Sequence, residues 1–387
     1  MPAAAPYNIM SDIMDICERS PSYVRAIAPY QPGKPITELA REFGLDERTI
    51  VKLASNENPR GLSPKALAAI EAALPDLARY PDGFELSQAL SRRLGLPMEQ
   101  IVLGNGSNDV LELAGMAFLA PGCSAVYSQH AFAVYPLATQ ARGAHGIVVP
   151  AKNYGHDLEA MLAAIRPDTH VVFIANPNNP TGTMLTAAEL ESFLRRAPKH
   201  VVVVVDEAYN EYLDPALRCP SVAWVERFPN LIVTRTFSKV YGLAGLRVGY
   251  GVCRPELADL LNRVRQPFNV NNLAIAAAVA ALTDEDFVRE SYELNVAGMA
   301  QLLEGCKRLG LAWIPSYGNF VTVEIPRSAG KNAGQSQAGA VFQRLLRLGV
   351  IVRPLAGYAM PDHLRVTIGL APENARFLEA LEAALKG

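Results

Sequence analysis

Five consecutive valines, Val201-Val202-Val203-Val204-Val205, run directly into Asp206-Glu207-Ala208-Tyr209. A β-branched run bounded by polar residues reads as a short strand. Val171-Val172-Phe173-Ile174-Ala175 repeats the arrangement and runs into Asn176-Pro177-Asn178-Asn179-Pro180-Thr181-Gly182. In an open α/β sheet, ligands bind in the crevice outside the carboxyl ends of the strands. Both polar clusters therefore stand where such a sheet places its site.

The surrounding pattern supplies the rest of the sheet. Further strands are expected at 101–103, 125–127, 147–149 and 231–235. The helices between them are expected to start at Ser63-Pro64, with Ala66, Leu67, Ile70 and Leu74 at helical spacing, and to cover 84–94, 110–119, 135–141, 158–165 and 186–196. Strands alternating with helices imply a mostly parallel sheet with helices on both faces. The Ala-rich stretch 272–282 reads as a buried helix. From about Asp284 the pattern changes to a long helix over 284–309, strands near 321–325, 350–352 and 364–368, a helix over 338–348 and a terminal helix. That is a second, smaller α+β unit, and 387 residues suit a large domain with a smaller one. Residues 1–35 read as an arm with a short helix around 9–19. The expected division is 1–50 (arm and part of the small domain), 51–283 (large domain) and 284–387 (small domain).

The chemistry is concentrated in Thr236-Phe237-Ser238-Lys239, followed by Arg247. A lysine forms a Schiff base with an aldehyde cofactor, while hydroxyls and an arginine hold a phosphate. A Ser-Lys pair alone is common and usually solvated, so the two strand-end clusters carry much of the inference.

The ordered set Asn179-Pro180-Thr181-Gly182, Asp206-x-x-Tyr209, Ser238-Lys239, Arg247 and Arg365 resembles the fold-type-I pyridoxal phosphate (PLP)-dependent aminotransferases, and within them the histidinol-phosphate aminotransferase branch. The likeness runs from Lys52-Leu53-Ala54-Ser55-Asn56-Glu57-Asn58-Pro59 to Leu364-Arg365-Val366-Thr367-Ile368-Gly369. It implies an α/β fold of type I, with a mostly parallel sheet of the seven-stranded type and a smaller α+β domain.

The resemblance also implies roles. Lys239 would hold PLP and carry a proton, kept neutral by Arg247 and the cofactor's own charge. Asp206 would pair with the pyridine nitrogen, although a strand-end capping carboxylate reads the same way. Tyr209 and Asn179 would reach the cofactor's 3′-oxygen, although Asn179–Gly182 is also a plain turn sequence. Gly106, Ser107 and Asn108 would offer a helix opening to the phosphate, aided by Thr236, Ser238 and Arg247. The same residues also make an ordinary strand-to-helix turn. The third glycine of a dinucleotide fingerprint is missing, since Asp109 occupies its place, and this excludes NAD binding. Phe132 would cover the cofactor ring, or it is ordinary core. Tyr80 would reach the neighbouring subunit's site, which requires a homodimer. Gly83 leads straight into Phe84, without the longer Gly-rich stretch many relatives carry. Arg365 would anchor a substrate anion. Arg353 is either a second such cation or a surface salt-bridge partner.

The implied reaction is ping-pong transamination of L-histidinol phosphate with 2-oxoglutarate in histidine biosynthesis. Three alternatives share the motifs: a broad aromatic amino-acid aminotransferase, a PLP decarboxylase acting on a phosphorylated amino acid, and a PLP-binding regulatory module. The last usually carries a DNA-binding domain in front, and the residues before the first motif are neither basic nor helix-turn-helix in pattern.

Composition bounds the remainder. A net charge of −2 without a basic run gives no support for nucleic-acid or anionic-membrane partners. Cys17, Cys123, Cys219, Cys253 and Cys306 are scattered and contain no Cys-x-x-Cys, which suits a reducing cytoplasm. The histidines lack metal-ligand spacing. No apolar run approaches the roughly 20 residues of a membrane span, and no basic segment precedes an apolar one at the start.

Overall fold

In the computed structural model, which describes residues 16–29, 33–327 and 334–386, the apolar runs become strands. In chain order these are β1 (Val51–Lys52), β2 (Ile101–Gly104), β3 (Ser124–Ser128), β4 (His145–Val149), β5 (Thr169–Ala175), β6 (Val202–Asp206), β7 (Leu231–Thr236), β8 (Gly249–Cys253), β9 (Trp313–Ile314), β10 (Phe320–Glu324), β11 (Val350–Ile351), β12 (Arg353–Pro354) and β13 (His363–Thr367).

Seven of them form one sheet in the order β2-β8-β7-β6-β5-β3-β4. β8 runs antiparallel to both its neighbours, and the remaining pairs are parallel. Two antiparallel steps cancel, so β2 points the same way as the parallel strands. The winding reverses between β3 and β5, the position at which such sheets open a crevice.

The valine run is buried because both sheet faces are covered. Val203 and Val205 enter one apolar cluster with Ile174, Phe193 and Trp224. Val202 and Val204 enter the other with Leu111, Tyr135 and Phe173. The expected helix at 110–119 begins earlier, at Ser107, and ends at Phe118.

β8 was not among the expected strands, because Gly249 and Gly251 dilute its pattern. Their bareness has a cause. A Cβ on Gly249 would stand 2.4 Å from the Ser107 nitrogen, and one on Gly251 would stand 2.7 Å from Val110 Cγ1. The helix Ser107–Phe118 therefore lies directly on this strand.

The C-terminal part forms a smaller antiparallel sheet, β12-β13-β10-β9, packed with the helices Glu285–Arg308, Ala338–Arg347 and Ala371–Lys386. β1 pairs in parallel with β11, and the Thr367 N–H donates to Leu53 O at 2.8 Å. The segment after β1 thus passes from the smaller sheet towards the crevice of the larger one. Of the helix expected around 9–19, residues 9–15 lie outside the described residues and 16–18 are helical.

Candidate active site

A cavity of about 180 Å³ opens at the carboxyl ends of the parallel strands. It is lined by Ser107, Asn108, Phe132, Asn179, Asp206, Tyr209, Thr236, Ser238, Lys239 and Arg247, all of them expected from sequence, together with Ala175, Pro177 and Ala208. A larger hollow of about 660 Å³, walled by His156, Thr183, Glu189 and Phe193, contains none of the ten.

One end of the cavity suits an anion. Gly106 caps the helix Ser107–Phe118 with φ 85° and ψ 163°, a conformation that glycine adopts without cost. A Cβ there would stand 2.6 Å from Arg247 Nη2. Arg247 Nη1 donates to Ser238 Oγ at 3.3 Å and to Ala244 O at 3.1 Å. The Ser238 N–H donates to Thr236 Oγ1 at 3.1 Å. Helix-start N–H groups, hydroxyls and a guanidinium thus converge where a phosphate can be held.

The other end is acidic. Burial pushes Asp206 up to about 6, against two hydrogen bonds that favour its charged form. Thr234 Oγ1 donates to Oδ1 at 2.9 Å, and the Tyr135 hydroxyl donates to Oδ2 at 3.0 Å. Tyr135 is fully buried, and its ring stacks on Phe173 at 4.9 Å and 5°. Sequence reasoning missed both supports. Tyr135 falls in an apolar helix and Thr234 in a strand, where each reads as core. Phe132 lines the cavity and meets Tyr135 edge-on at 5.9 Å.

Lys239 sits between the two ends, with Nζ donating to Ser55 O at 3.2 Å. Its pKa is lowered to about 8, first by burial and next by the Arg365 charge, with a smaller share from Arg247. Arg247 thus acts in the expected direction, behind burial and Arg365. Tyr209 is buried, its pKa is pushed up to about 12 chiefly by burial, and its hydroxyl accepts Asn56 Nδ2–H at 2.8 Å. Arg365 Nη1 donates to Asn179 Oδ1, and Nη2 donates to Ala54 O at 2.7 Å.

Four expected residues do not line this cavity: Gly106 and Arg365, which meet the lining residues Arg247 and Asn179, and Arg353 and Tyr80. Arg353 lies opposite Arg365 in the β12–β13 register. Tyr80 is 81% exposed and stacks on Phe268 at 4.5 Å. The glycine that leads straight into Phe84 has a packing reason, since a Cβ on Gly83 would stand 2.8 Å from Leu103 Cδ1.

The family model for aminotransferase class I and II matches residues 48–381. The chain is 63% identical over 372 residues to histidinol-phosphate aminotransferase 1 of Dechloromonas aromatica, covering 96% of this chain and 100% of that protein. It is 60% identical over 375 residues to histidinol-phosphate aminotransferase 2 of Nitrosospira multiformis, covering 96% and 93% of the two chains. Among solved structures it resembles histidinol-phosphate aminotransferase from Sinorhizobium meliloti in complex with pyridoxal-5′-phosphate. That match has a TM-score of 0.86, 28% identity, and coverage of 95% of this chain and 98% of the other.

Proposed function

The chain belongs to the aminotransferase class I and II family, and on that premise we propose that it transfers the amino group of L-histidinol phosphate to 2-oxoglutarate, giving imidazole acetol phosphate and glutamate in histidine biosynthesis. Its cofactor is pyridoxal 5′-phosphate, and the residues fit that group. Gly106 leaves bare backbone beneath Arg247 at the anion end, and a buried carboxylate closes the other end. When bound, the cofactor supplies an aldehyde and an electron-accepting ring through which an amino group is carried.

Within this reading Ser107, Asn108, Thr236, Ser238 and Arg247 hold the phosphate. Asp206, whose charged form Thr234 and Tyr135 favour against burial, would pair with the ring nitrogen. Lys239, whose lowered pKa makes a neutral amine accessible near neutral pH, attaches the cofactor and then moves the substrate's α-proton. Tyr209 and Asn179 serve the 3′-oxygen. Histidinol phosphate ends in a phosphate and has no α-carboxylate, whereas glutamate has two carboxylates. One site must therefore accept different anions in turn, and planar guanidinium forks suit both. Arg365 supplies one fork and Arg353, opposite it in register, a second. Tyr80 completes the partner's site in a homodimer. The free, scattered cysteines suit the cytoplasm, and among the described residues no helix is long and apolar enough to cross a membrane.

The observation that carries the proposal is the single cavity that brings Lys239, Asp206, Tyr209 and Asn179 together with Arg247. The test is a single-turnover half-reaction on the PLP-loaded protein, following loss of the visible band with L-histidinol phosphate and, separately, with L-phenylalanine. A rate-to-affinity ratio at least about tenfold larger for histidinol phosphate is expected. Equal or better efficiency with phenylalanine makes the protein a broad aromatic aminotransferase instead.

A further inference from the structure

Asn56 lies in the segment that leaves β1, with φ 56° and 1% exposure. Asparagine is among the few residues other than glycine that enter this left-handed region readily. The turn at Asn56 gives each part of the segment its own task. Ala54 O receives Arg365, Ser55 O receives Lys239, and the Asn56 side chain meets Tyr209. Thr367, two residues beyond Arg365 on β13, holds Asn56 twice. Its Oγ1 accepts the Asn56 backbone N–H at 2.9 Å and donates to Asn56 Oδ1 at 3.1 Å.

These bonds fix which way the amide faces. If it were turned over, Nδ2 would meet Thr367 and the buried Thr367 hydroxyl proton would have no acceptor among the described residues. With Oδ1 held by Thr367, Nδ2–H must face Tyr209, and an amide NH2 accepts nothing. The Tyr209 hydroxyl therefore accepts from Asn56, and its own proton finds no acceptor among the described residues. That hydroxyl belongs to a residue lining the cavity.

We propose that Asn56 and Thr367 are positioning residues that aim the Tyr209 proton into the cavity, so that Tyr209 meets a bound ligand's oxygen as a hydrogen-bond donor. The inference rests on the PLP reading above, in which that oxygen is the cofactor's 3′-oxygen. A donated hydrogen bond favours the deprotonated state of the bound chromophore and lowers the pH at which its visible band changes.

The test is a spectroscopic pH titration of the PLP-loaded protein, with retained cofactor and the thermal unfolding midpoint as folding controls. Tyr209→Phe is expected to raise the spectral midpoint by roughly one pH unit, about the worth of one hydrogen bond. Thr367→Val, which frees the amide to turn, and Asn56→Gly, which removes it without backbone strain, are expected to raise the midpoint part of the way. Thr367→Ser keeps the hydroxyl and should restore the wild-type value. In the Tyr209→Phe background, Thr367→Val should add nothing. The inference fails if Thr367→Val and Asn56→Gly leave the midpoint unchanged while Tyr209→Phe moves it. It also fails if the Thr367→Val shift persists without the phenol. Failure of the underlying reading looks different: the wild-type protein then binds no PLP, or Tyr209→Phe itself moves nothing.

Discussion

Lys239, catalytic in the proposed function, illustrates how a site residue weakens the fold that holds it. Burial and the Arg365 charge hold its pKa at about 8, against an ordinary value of 10.5. Below about pH 8 the folded, cofactor-free protein carries an ammonium in a site that disfavours it. Between 8 and 10.5 the folded lysine is neutral while the unfolded one still binds its proton, so stability rises with pH across that window. Lys239→Met removes the cost, which is at most ~3 kcal/mol. The cofactor-free variant should therefore gain on the wild type in denaturant unfolding at pH 7, with the gain shrinking as pH rises from 8 to 10.5. A difference that stays flat over the window would show that the buried ammonium carries no such cost. Lysine, carboxylate and arginine were legible in the sequence because each belongs to a compact local motif. Asn56, Thr234, Tyr135 and Thr367 were not read as functional, because they act through contacts between segments far apart in the chain. The Asn56–Tyr209 hydrogen bond joins residues 153 positions apart. Nothing local distinguishes a tyrosine that supports Asp206 from one that fills a core.

At the scale of elements, the anion end depends on how closely β8 and the helix Ser107–Phe118 approach. The parallel strands were readable from their apolar runs, because strands covered on both faces need continuous hydrophobicity. β8 was hidden for the opposite reason, since its task is to leave room. A Cβ on Gly249 would meet the Ser107 nitrogen, and backbone yields less readily than a side-chain tip. Gly249→Ala should push the helix start away from Arg247. The measured consequence is a PLP dissociation constant raised about tenfold or more, read by equilibrium dialysis. Gly245→Ala, where a Cβ meets nothing within 4 Å, is the matched control. Equal affinity in both variants would mean that the helix opening contributes little to holding the phosphate.

At the scale of the whole molecule, one chain's cavity lacks the tyrosine that the proposed function requires. Tyr80 is 81% exposed, and around it Leu77, Phe84 and Phe268 are each more than half exposed. Exposed apolar side chains of this kind suit a contact surface, and the proposed homodimer supplies the partner. The geometry makes a prediction that no monomeric enzyme can satisfy. In a homodimer with crossed sites, Lys239→Ala damages the site of its own subunit, whereas Tyr80→Ala damages the site of its neighbour. Homodimers of either variant therefore carry two defective sites. A hybrid dimer places the intact Lys239 of one subunit with the intact Tyr80 of the other, which makes one wild-type site and one doubly damaged site. Random reassortment of equal amounts makes about half the dimers hybrid, so activity should recover to roughly a quarter of the wild-type level. Mixing under conditions that exchange subunits, followed by assay of transamination, reads this directly. If the mixture shows only the average of the two variants, Tyr80 serves its own subunit or none, and the exposed cluster at Leu77, Phe84 and Phe268 owes its form to something other than a shared active site.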